Sequence, residues 1–316
     1  MKNSNSSYNT PMGKKKSKYT FIDLFAGIGG FHIAFSNLGA KCVYVSEYEK
    51  YCRITYENYF KSKHPELFKN PTLFGEDIKK ITTSPKVIKE NIPEFDILTG
   101  GFPCQPFSQA GQKKGFLDEA RGTLFYDIAK ILEARKPKAY FIENVRGLLT
   151  HDGGNTIREM ERIIKKLGYS FNVYPVRASD YGLPTHRPRL YMIGFRKDIK
   201  NKVRFTPPEK TELKFTLSDI FGKKINRQIG YTLRLGGMDS GVDDRRNWDN
   251  YRMADGSIHK ITVSEAAKMM GFPEDFTFPK EVSNRQAMKQ LGNSVAIFAI
   301  QAFADKLIEA LDNLNE

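Results

Sequence analysis

The residue best suited to covalent chemistry is Cys104, within the segment GGFPCQPFS (100–108). A cysteine between two prolines, directly after a predicted strand, lies on a stiff loop that would fix its sulfur at the carboxyl edge of a sheet. A thiolate held there can act as a nucleophile. The other cysteines, Cys42 and Cys52, fall on a predicted strand and helix and are interpreted as packing residues. With no CxxC pair, neither a disulfide framework nor a metal site is expected.

Charged side chains accompany two further predicted strands. Glu143 lies near the end of the strand FIENV (141–145), where it could hydrogen-bond loop backbone or, if held protonated beside a thiolate, donate to a ring nitrogen. In THRPRLYMIGF (185–195), strand alternation predicts that Arg187 and Arg189 share one face. Two arginines on one face suit a phosphate, a carbonyl oxygen or a carboxylate, and a solvated strand edge is the alternative.

A glycine turn, FAGIGGF (25–31), lies between a predicted strand and a predicted helix, which allows a ligand to approach the backbone and the helix N-terminus. Position 32 is His where a nicotinamide-binding turn would carry its third glycine, which disfavours that class. Glu47 ends the second predicted strand, 20 residues past Gly27, where an acid can accept both ribose hydroxyls. Asp77, after a third loop, suits an adenine amino group or is an ordinary surface acid. The turn and Glu47 together favour a nucleotide-like ligand.

The elements that position these residues alternate between short β-rich runs and helical stretches, which predicts an α/β fold. Thr262 and Glu265 match a capping box at the start of a later helix, and a Gly-Asn turn in QLGNSV (290–295) opens a last helix at about 294–313. The predicted strands cover 20–25, 43–47, 96–101, 140–144 and 189–195, and two further helices cover about 123–134 and 156–167.

The whole chain has 316 residues, a formal net charge of +14, 40% apolar and 27% charged residues, which together indicate a globular protein with a polyanionic partner such as nucleic acid. No apolar run approaches the roughly 20 residues of a membrane helix. Residues 1–18 are polar and basic without an apolar stretch, so they predict a disordered tail and no secretory signal. Three cysteines without a pairing pattern fit a reducing cytoplasm.

Residues 196–261 differ in character from the preceding alternation. Within 196–260 there are 15 Lys and Arg against 9 Asp and Glu, many glycines and only weak apolar periodicity. We therefore expect a small inserted domain between a catalytic, ligand-binding domain at 19–195 and a C-terminal segment at 262–316 that completes it.

The order of these segments resembles that of one family. FAGIGGF, an acid ending the second strand, GFPCQPFS, ENV, HRPRLYMIGF and QLGNSV follow one another as in cytosine-5 DNA methyltransferases, over about residues 19–195 and 262–314. The compact bacterial enzymes of restriction–modification systems are the most similar members. The resemblance implies a Rossmann-like S-adenosylmethionine-dependent methyltransferase fold, α/β in class, with a small inserted DNA-recognition domain.

The resemblance also implies site residues. Cys104 would be the nucleophile, Glu143 the partner of cytosine N3 and the amino group, and Arg189, with Arg187 nearby, part of the catalytic pocket. Tyr48 stands where relatives often carry Trp, and Ser264 stands where they usually carry Arg, which predicts weaker bracing of the recognition domain. The residues expected to line the pocket for S-adenosylmethionine, or its product S-adenosylhomocysteine, are Phe25, Gly27, Gly29, Glu47, Tyr48, Asp77, Ile78, Pro103, Leu124 and Asn293.

Double-stranded DNA is the expected partner, and residues 196–261 the expected site of sequence recognition. Any one of the recognition-region arginines could instead pair with a neighbouring aspartate: Asp243, Asp244 or Asp249. The predicted DNA contacts are Ser108, Arg234, Arg245 and Arg246.

The implied reaction adds the thiolate to carbon-6 of a flipped-out cytosine, making carbon-5 nucleophilic enough to take a methyl group without a metal. The alternatives are an RNA (tRNA) cytosine-5 methyltransferase on the same fold and a DNA-binding protein without activity, whereas a nicotinamide oxidoreductase is disfavoured. A monomer in the bacterial cytoplasm is expected, with no membrane partner, and with any cognate restriction endonuclease related functionally and not physically.

Overall fold

The computed structural model describes residues 18–103, 124–234 and 236–314. In these ranges the strands are β1 (Thr20–Leu24), β2 (Lys41–Ser46), β3 (Phe74–Gly75), β4 (Ile97–Gly101), β5 (Ala139–Val145), β6 (Asn172–Arg177), β7 (Pro188–Phe195), β8 (Asn250–Arg252) and β9 (Ile258–Lys260). The α-helices are α1 (Gly30–Asn37), α2 (Lys50–Phe60), α3 (Glu66–Lys69), α4 (Ile78–Ile81), α5 (Pro85–Asn91), α6 (Leu124–Arg135), α7 (Asn155–Lys166), α8 (Lys197–Lys200), α9 (Leu217–Phe221), α10 (Val263–Met269), α11 (Asn284–Asn293) and α12 (Ile297–Asp312).

Seven strands form one sheet in the order β3-β2-β1-β4-β5-β7-β6. The first five strands in this order are parallel, whereas β7 runs antiparallel to both of its neighbours. The start of β7 therefore meets the end of β5, where Val145 pairs with Arg189. The carboxyl ends of β1, β2, β4 and β5 and the beginning of β7 share one edge of the sheet, the edge at which α/β proteins bind ligands.

Both faces of the sheet are buried. Alternation along β5 sends Phe141 to one apolar cluster and Tyr140 and Ile142 to another, as period-two side chains require. On the first face the Phe141 ring lies 5.3 Å from Phe31 of α1 and 6.3 Å from Phe303 of α12, between ring centroids. A sheet covered on both faces is what the predicted α/β class requires, and that class is confirmed.

The predicted elements agree with the observed ones where local patterns are strong. All five predicted strands are present, and the capping box joins Thr262 and Glu265 as predicted. Four strands were not predicted: β3, which is only two residues long, β6, which is an edge strand that contains Pro175, and β8 and β9. The last helix predicted at about 294–313 corresponds to α12, which begins at Ile297, whereas α11, which ends at Asn293, was not predicted.

Residues 196–261 hold a separate two-stranded sheet of β8 and β9, together with α8 and α9. Trp248 is fully buried and donates its indole N–H to the Gly236 carbonyl at 3.0 Å. Leu217 and Tyr251 belong to the same apolar cluster as Phe303 of α12, so this region packs onto the C-terminal helices. The domain boundaries at 195/196 and 261/262 remain a prediction.

Two points concern the chain as a whole. Of the predicted tail at 1–18, only Lys18 lies in the described range, and its ammonium is 3.6 Å from an Asp312 carboxylate oxygen. In the described ranges, no helix has both the length and the apolar character needed to cross a bilayer.

Candidate active site at the carboxyl edge of the sheet

The glycine turn after β1 is an open cradle for a ligand. Phe25, Gly27 and Gly29 all have positive φ, at 55°, 57° and 85°, and the turn closes with Gly29 N–H donating to the Ala26 carbonyl at 2.8 Å. A Cβ on Gly27 would meet no atom within 4 Å, whereas one on Gly29 would collide with the Phe60 ring. Gly29 is therefore required by packing and backbone conformation, and Gly27 faces open space that a ligand could occupy.

Glu47 is built into this turn. Its Oε2 accepts from Gly27 N at 2.7 Å and its Oε1 accepts from Glu49 N at 2.6 Å. Burial raises the pKa of Glu47, and these two backbone hydrogen bonds oppose the rise. The carboxylate thus lies directly beside the open cradle, at the position from which the sequence predicted contact with ribose hydroxyls.

Three predicted pocket residues follow around the same edge. Tyr48 is 78% exposed, which is unusual for so large a ring, and it directly follows Glu47. Asp77 precedes α4 and accepts from Lys79 N at 3.0 Å, while Ile78 is buried in the second apolar cluster. An exposed ring and an acid at one sheet edge are compatible with a purine, because the ring offers a stacking face and the acid a hydrogen-bond acceptor.

The turn between α11 and α12 packs against the same cradle. A Cβ on Gly30, the first residue of α1, would clash with Val295 and lie 3.2 Å from the Ser294 hydroxyl oxygen. Asn293, one residue earlier, is exposed. Pro103 is also exposed, and Leu124 packs on the second apolar cluster at the start of α6.

Asp23 was not singled out from the sequence, although it lies two residues before the turn. It is completely buried on β1, and its Oδ2 accepts from His32 N of α1 at 3.2 Å. Burial raises the pKa of Asp23 well above its ordinary value. The residue ties the strand before the turn to the helix after it.

Glu143 and Arg189 form an ion pair across β5 and β7. The Glu143 Oε1 is 2.8 Å from the Arg189 Nε, and the two side chains are only 10% and 14% exposed. A Cβ on Gly101, at the end of β4, would lie 3.3 Å from Glu143 Oε2. The pair therefore stands beside the chain segment that leads into Cys104.

Arg187 lies just outside β7, the strand whose alternation was expected to place it on one face with Arg189. It precedes β7 with a φ of 28°, so strand alternation does not apply to it. Its fully buried guanidinium donates to the carbonyls of Gly292 and Ser294, and burial lowers its pKa to about 9. Arg187 thus fastens the start of β7 to the turn that carries Asn293, and Arg189 alone pairs with Glu143.

Asn144 holds the last described residues before the cysteine. Its Nδ2 donates to the Phe102 carbonyl at 2.9 Å, and its Oδ1 accepts from Val145 N at 2.8 Å. The predicted nucleophile Cys104, the predicted DNA contact Ser108 and the glycine-containing stretch after them lie outside the described residues. The structure therefore describes the residues around Pro103, which precedes Cys104, but not the Cys104 sulfur itself.

Comparison with protein-family models gives one match over most of the chain. The model of C-5 cytosine-specific DNA methylase matches residues 19–236 and 240–309. The chain belongs to this family. It is a DNA cytosine-5 methyltransferase, and the fold and activity predicted from the order of its motifs are confirmed.

Curated relatives extend the match along nearly the whole length. The chain is 38% identical to the Type II methyltransferase M1.ScrFI of Lactococcus lactis subsp. cremoris, covering 95% of this chain and 80% of that one. It is 34% identical to the Type II methyltransferase M.HhaI of Haemophilus parahaemolyticus, covering 95% and 97%. Among solved structures, the Dnmt2 methyltransferase of S. pombe shares the fold, with a TM-score of 0.66 at 19% identity and coverage of 95% and 100%.

The arginines of residues 196–261 in this methyltransferase differ in their contacts. Arg246 forms an ion pair with Asp244, at 2.8 Å between Nη2 and Oδ2, and its carbonyl accepts from Arg234 Nη2 at 2.7 Å. Arg252, not predicted as a contact, donates to both carboxylate oxygens of Asp243 at 3.0 Å. Arg245 is exposed, and no ion pair within the described part of the chain engages it.

Proposed function

We propose that this enzyme transfers a methyl group from S-adenosylmethionine to carbon-5 of a cytosine within a short sequence of double-stranded DNA, with Cys104 as nucleophile. The observation that carries the proposal is the buried Glu143–Arg189 pair beside Gly101, three residues before Cys104 along the chain. A carboxyl group there can accept from the cytosine amino group and, when protonated, donate to N3, while the guanidinium can donate to the neighbouring carbonyl.

The residues at the glycine turn fit S-adenosylmethionine. The space beside the Cα of Gly27 is open, and the Glu47 carboxylate accepts a hydrogen bond from Gly27 N. The exposed ring of Tyr48 follows Glu47 in the sequence. Glu47 and Tyr48 would contact ribose and adenine, and Asp77 the adenine amino group. The bound molecule supplies an electrophilic methyl group on a sulfonium.

The chain's own residues would activate the base. Addition of the Cys104 thiolate to carbon-6 places electron density on carbon-5. Glu143 stabilises the negative charge that builds at N3, and Arg189 orients the carbonyl oxygen. After methyl transfer, loss of the carbon-5 proton and elimination of the thiolate restore the enzyme. Because carbon-5 and carbon-6 are stacked inside a duplex, the cytosine must be turned out of the helix first.

Sequence recognition is assigned to residues 196–261. Arg245 is the candidate of choice for a DNA contact, because Arg246 and Arg252 are engaged by Asp244 and Asp243. Exchange of this segment for that of another family member tests the assignment. The hybrid should modify the donor's target, and retention of the recipient's target would contradict it.

We further propose that the enzyme is the protective methyltransferase of a restriction–modification system, which its similarity to Type II methyltransferases supports, and that it acts as a monomer in the cytoplasm. Bisulfite sequencing of plasmid DNA from a host that expresses the enzyme would test it. Methylation of every copy of one short sequence is expected, whereas scattered or absent methylation would contradict a protective role.

The covalent step is tested by Cys104→Ser. We expect methyl transfer to fall below detection while S-adenosylhomocysteine and DNA still bind, because a serine hydroxyl is far less acidic than a thiol. The measurement is radiolabelled methyl transfer to duplex DNA, with Cys52→Ser as the matched control that retains activity. Transfer to tRNA and not to DNA would favour an RNA substrate, and substantial turnover by the Cys104 variant would exclude its assigned role.

A further inference from the structure

The edge strand that leads to Asp77 is joined to the rest of the sheet by few strand-pairing hydrogen bonds. β3 is an edge strand of two residues, and it meets β2 through two residue pairs, Val45 with Phe74 and Ser46 with Gly75. A ladder this short contributes few hydrogen bonds. The gap between the end of β2, which leads to Glu47, and the end of β3, which leads to Asp77, is bridged by two further hydrogen bonds: Glu47 N donates to the Gly75 carbonyl at 3.1 Å, and the Ser46 hydroxyl donates to the Glu76 carbonyl at 3.1 Å.

Arg53 of α2 spans this gap. Its Nη1 donates to the carbonyls of Glu47 at 3.0 Å and Gly75 at 2.6 Å, and its Nη2 donates to the Phe74 carbonyl at 3.1 Å. The guanidinium carbon also lies 4.0 Å from the centre of the Phe74 ring. A planar guanidinium can make these bonds together, whereas a lysine ammonium cannot reproduce the fork.

The carbonyls that Arg53 binds belong to Glu47 itself and to β3, which ends two residues before Asp77. The Glu47 carboxylate in turn holds Gly27 N at 2.7 Å, so a shift of the Glu47 backbone would move the glycine turn as well. Arg53 bonds to backbone carbonyls and stacks on Phe74, so any effect on a ligand must pass through these neighbours.

We propose that Arg53 is a positioning residue that fixes the spacing of Glu47 and Asp77, and thereby sets affinity for the adenosine half of S-adenosylmethionine. This inference rests on the proposed cofactor site. It assigns to α2 a function in cofactor binding that no single motif in the sequence indicates.

The test is Arg53→Met, which keeps an apolar stem beside Phe74 and removes the donors. Binding to the full-length enzyme is measured by calorimetry with two probes: S-adenosylhomocysteine, and methylthioadenosine, which lacks the amino-acid half. Both affinities should fall about tenfold, the effect of roughly one lost charge-assisted hydrogen bond. The KM for S-adenosylmethionine should rise by a similar factor, while kcat changes much less.

Arg135→Met is the matched control, because Arg135 also binds two backbone carbonyls, those of Lys89 and Ile92. These residues precede β4 and lie at the amino-terminal ends of the strands, away from the proposed cofactor site. It should leave both affinities unchanged. Arg53→Lys keeps the charge but not the forked set of donors, so it should also lower the affinity for both probes. It replaces Arg53→Met as the test if the methionine variant does not fold.

The outcomes separate the two proposals. Parental affinity in Arg53→Met, an equal loss in Arg135→Met, or a loss confined to S-adenosylhomocysteine would each overturn the role of Arg53. Failure of the unaltered enzyme to bind either probe would instead overturn the proposed cofactor site.

Discussion

At the scale of single residues, the pairing of Glu143 with Arg189 decides which carboxylate oxygen can meet a base. Oε1 is occupied by the Arg189 Nε at 2.8 Å, and no hydrogen bond from the described residues reaches Oε2, which faces the end of β4. The pair places a hydrogen-bonding group and a cation side by side, so one planar ring could contact both. Such preorganised groups stabilise charge that develops during a reaction.

Glu143→Gln keeps the shape of this side chain but removes its charge and its transferable proton. We expect DNA and S-adenosylhomocysteine to bind nearly as before, while single-turnover methyl transfer slows about a hundred- to ten-thousand-fold. Glu159→Gln on the surface of α7, where Glu159 pairs with Arg162, is the control and should retain the parental rate. A parental rate in Glu143→Gln would leave Glu143 as a strand-end acid without a catalytic role.

His32 predicts a pH dependence of stability. It is fully buried, stacks on Phe60 with 4.1 Å between ring centroids, and contacts the Tyr56 hydroxyl; burial lowers its pKa well below its ordinary value of 6.5. At His32 the unfolded chain therefore binds a proton more readily than the folded one, so the contribution of this group to stability falls as the pH drops below about 6.5.

The loss should approach about 1.4 kcal/mol per pH unit for this one group, measured by urea unfolding between pH 7 and 5. His32→Phe should show a shallower pH dependence, although it removes the partner of Tyr56 and is less stable at pH 7. Because burial also lowers the pKa of His64, whose ring lies 4.6 Å away, some slope should remain. Identical slopes in the two proteins would contradict the assignment to His32.

At the scale of elements, a histidine joins the small β8–β9 sheet to α10. His259 of β9 lies 3.0 Å from a Glu265 carboxylate oxygen, which also caps α10 through Thr262. By its resemblance to the family, Ser264 of α10 predicts weaker bracing of the recognition region, and the contact from β9 is one brace that the described residues provide.

His259→Ala should lower the free energy of unfolding by about 1–2 kcal/mol, as expected for a hydrogen bond to a charged group. It leaves the capping box in place, so helical circular dichroism should not change. Thr262→Ala, which removes the cap and keeps the His259 contact, should cost about 1 kcal/mol. Unchanged urea unfolding in His259→Ala would show that β9 needs no brace.

At the scale of the whole molecule, a net charge of +14 predicts that DNA affinity depends strongly on salt. Each neutralised phosphate adds about 0.9 to the slope of log K against log salt. If Arg245 contacts a phosphate, Arg245→Ala should reduce the slope by about that amount. Arg252→Ala is the matched control, because Asp243 already holds Arg252. A weaker affinity at unchanged slope would instead indicate contact with a base edge.

The sequence alone determined the parts of this protein that depend on local pattern. Strand alternation, the glycine turn and the capping box at Thr262 involve neighbours along the chain, so their residue types predict the structure directly. The order of the motifs, from the glycine turn through Cys104 to the turn at Asn293, was sufficient to predict the fold and the activity.

Only the tertiary structure decided which partner each charged side chain takes. Arg187 and Arg189 are two residues apart, yet one binds carbonyls at positions 292 and 294 and the other pairs with Glu143. Arg53 binds three carbonyls at the ends of two different strands. Such contacts join residues that are distant in sequence, and they depend on how strands and helices pack, which spacing along the chain does not encode.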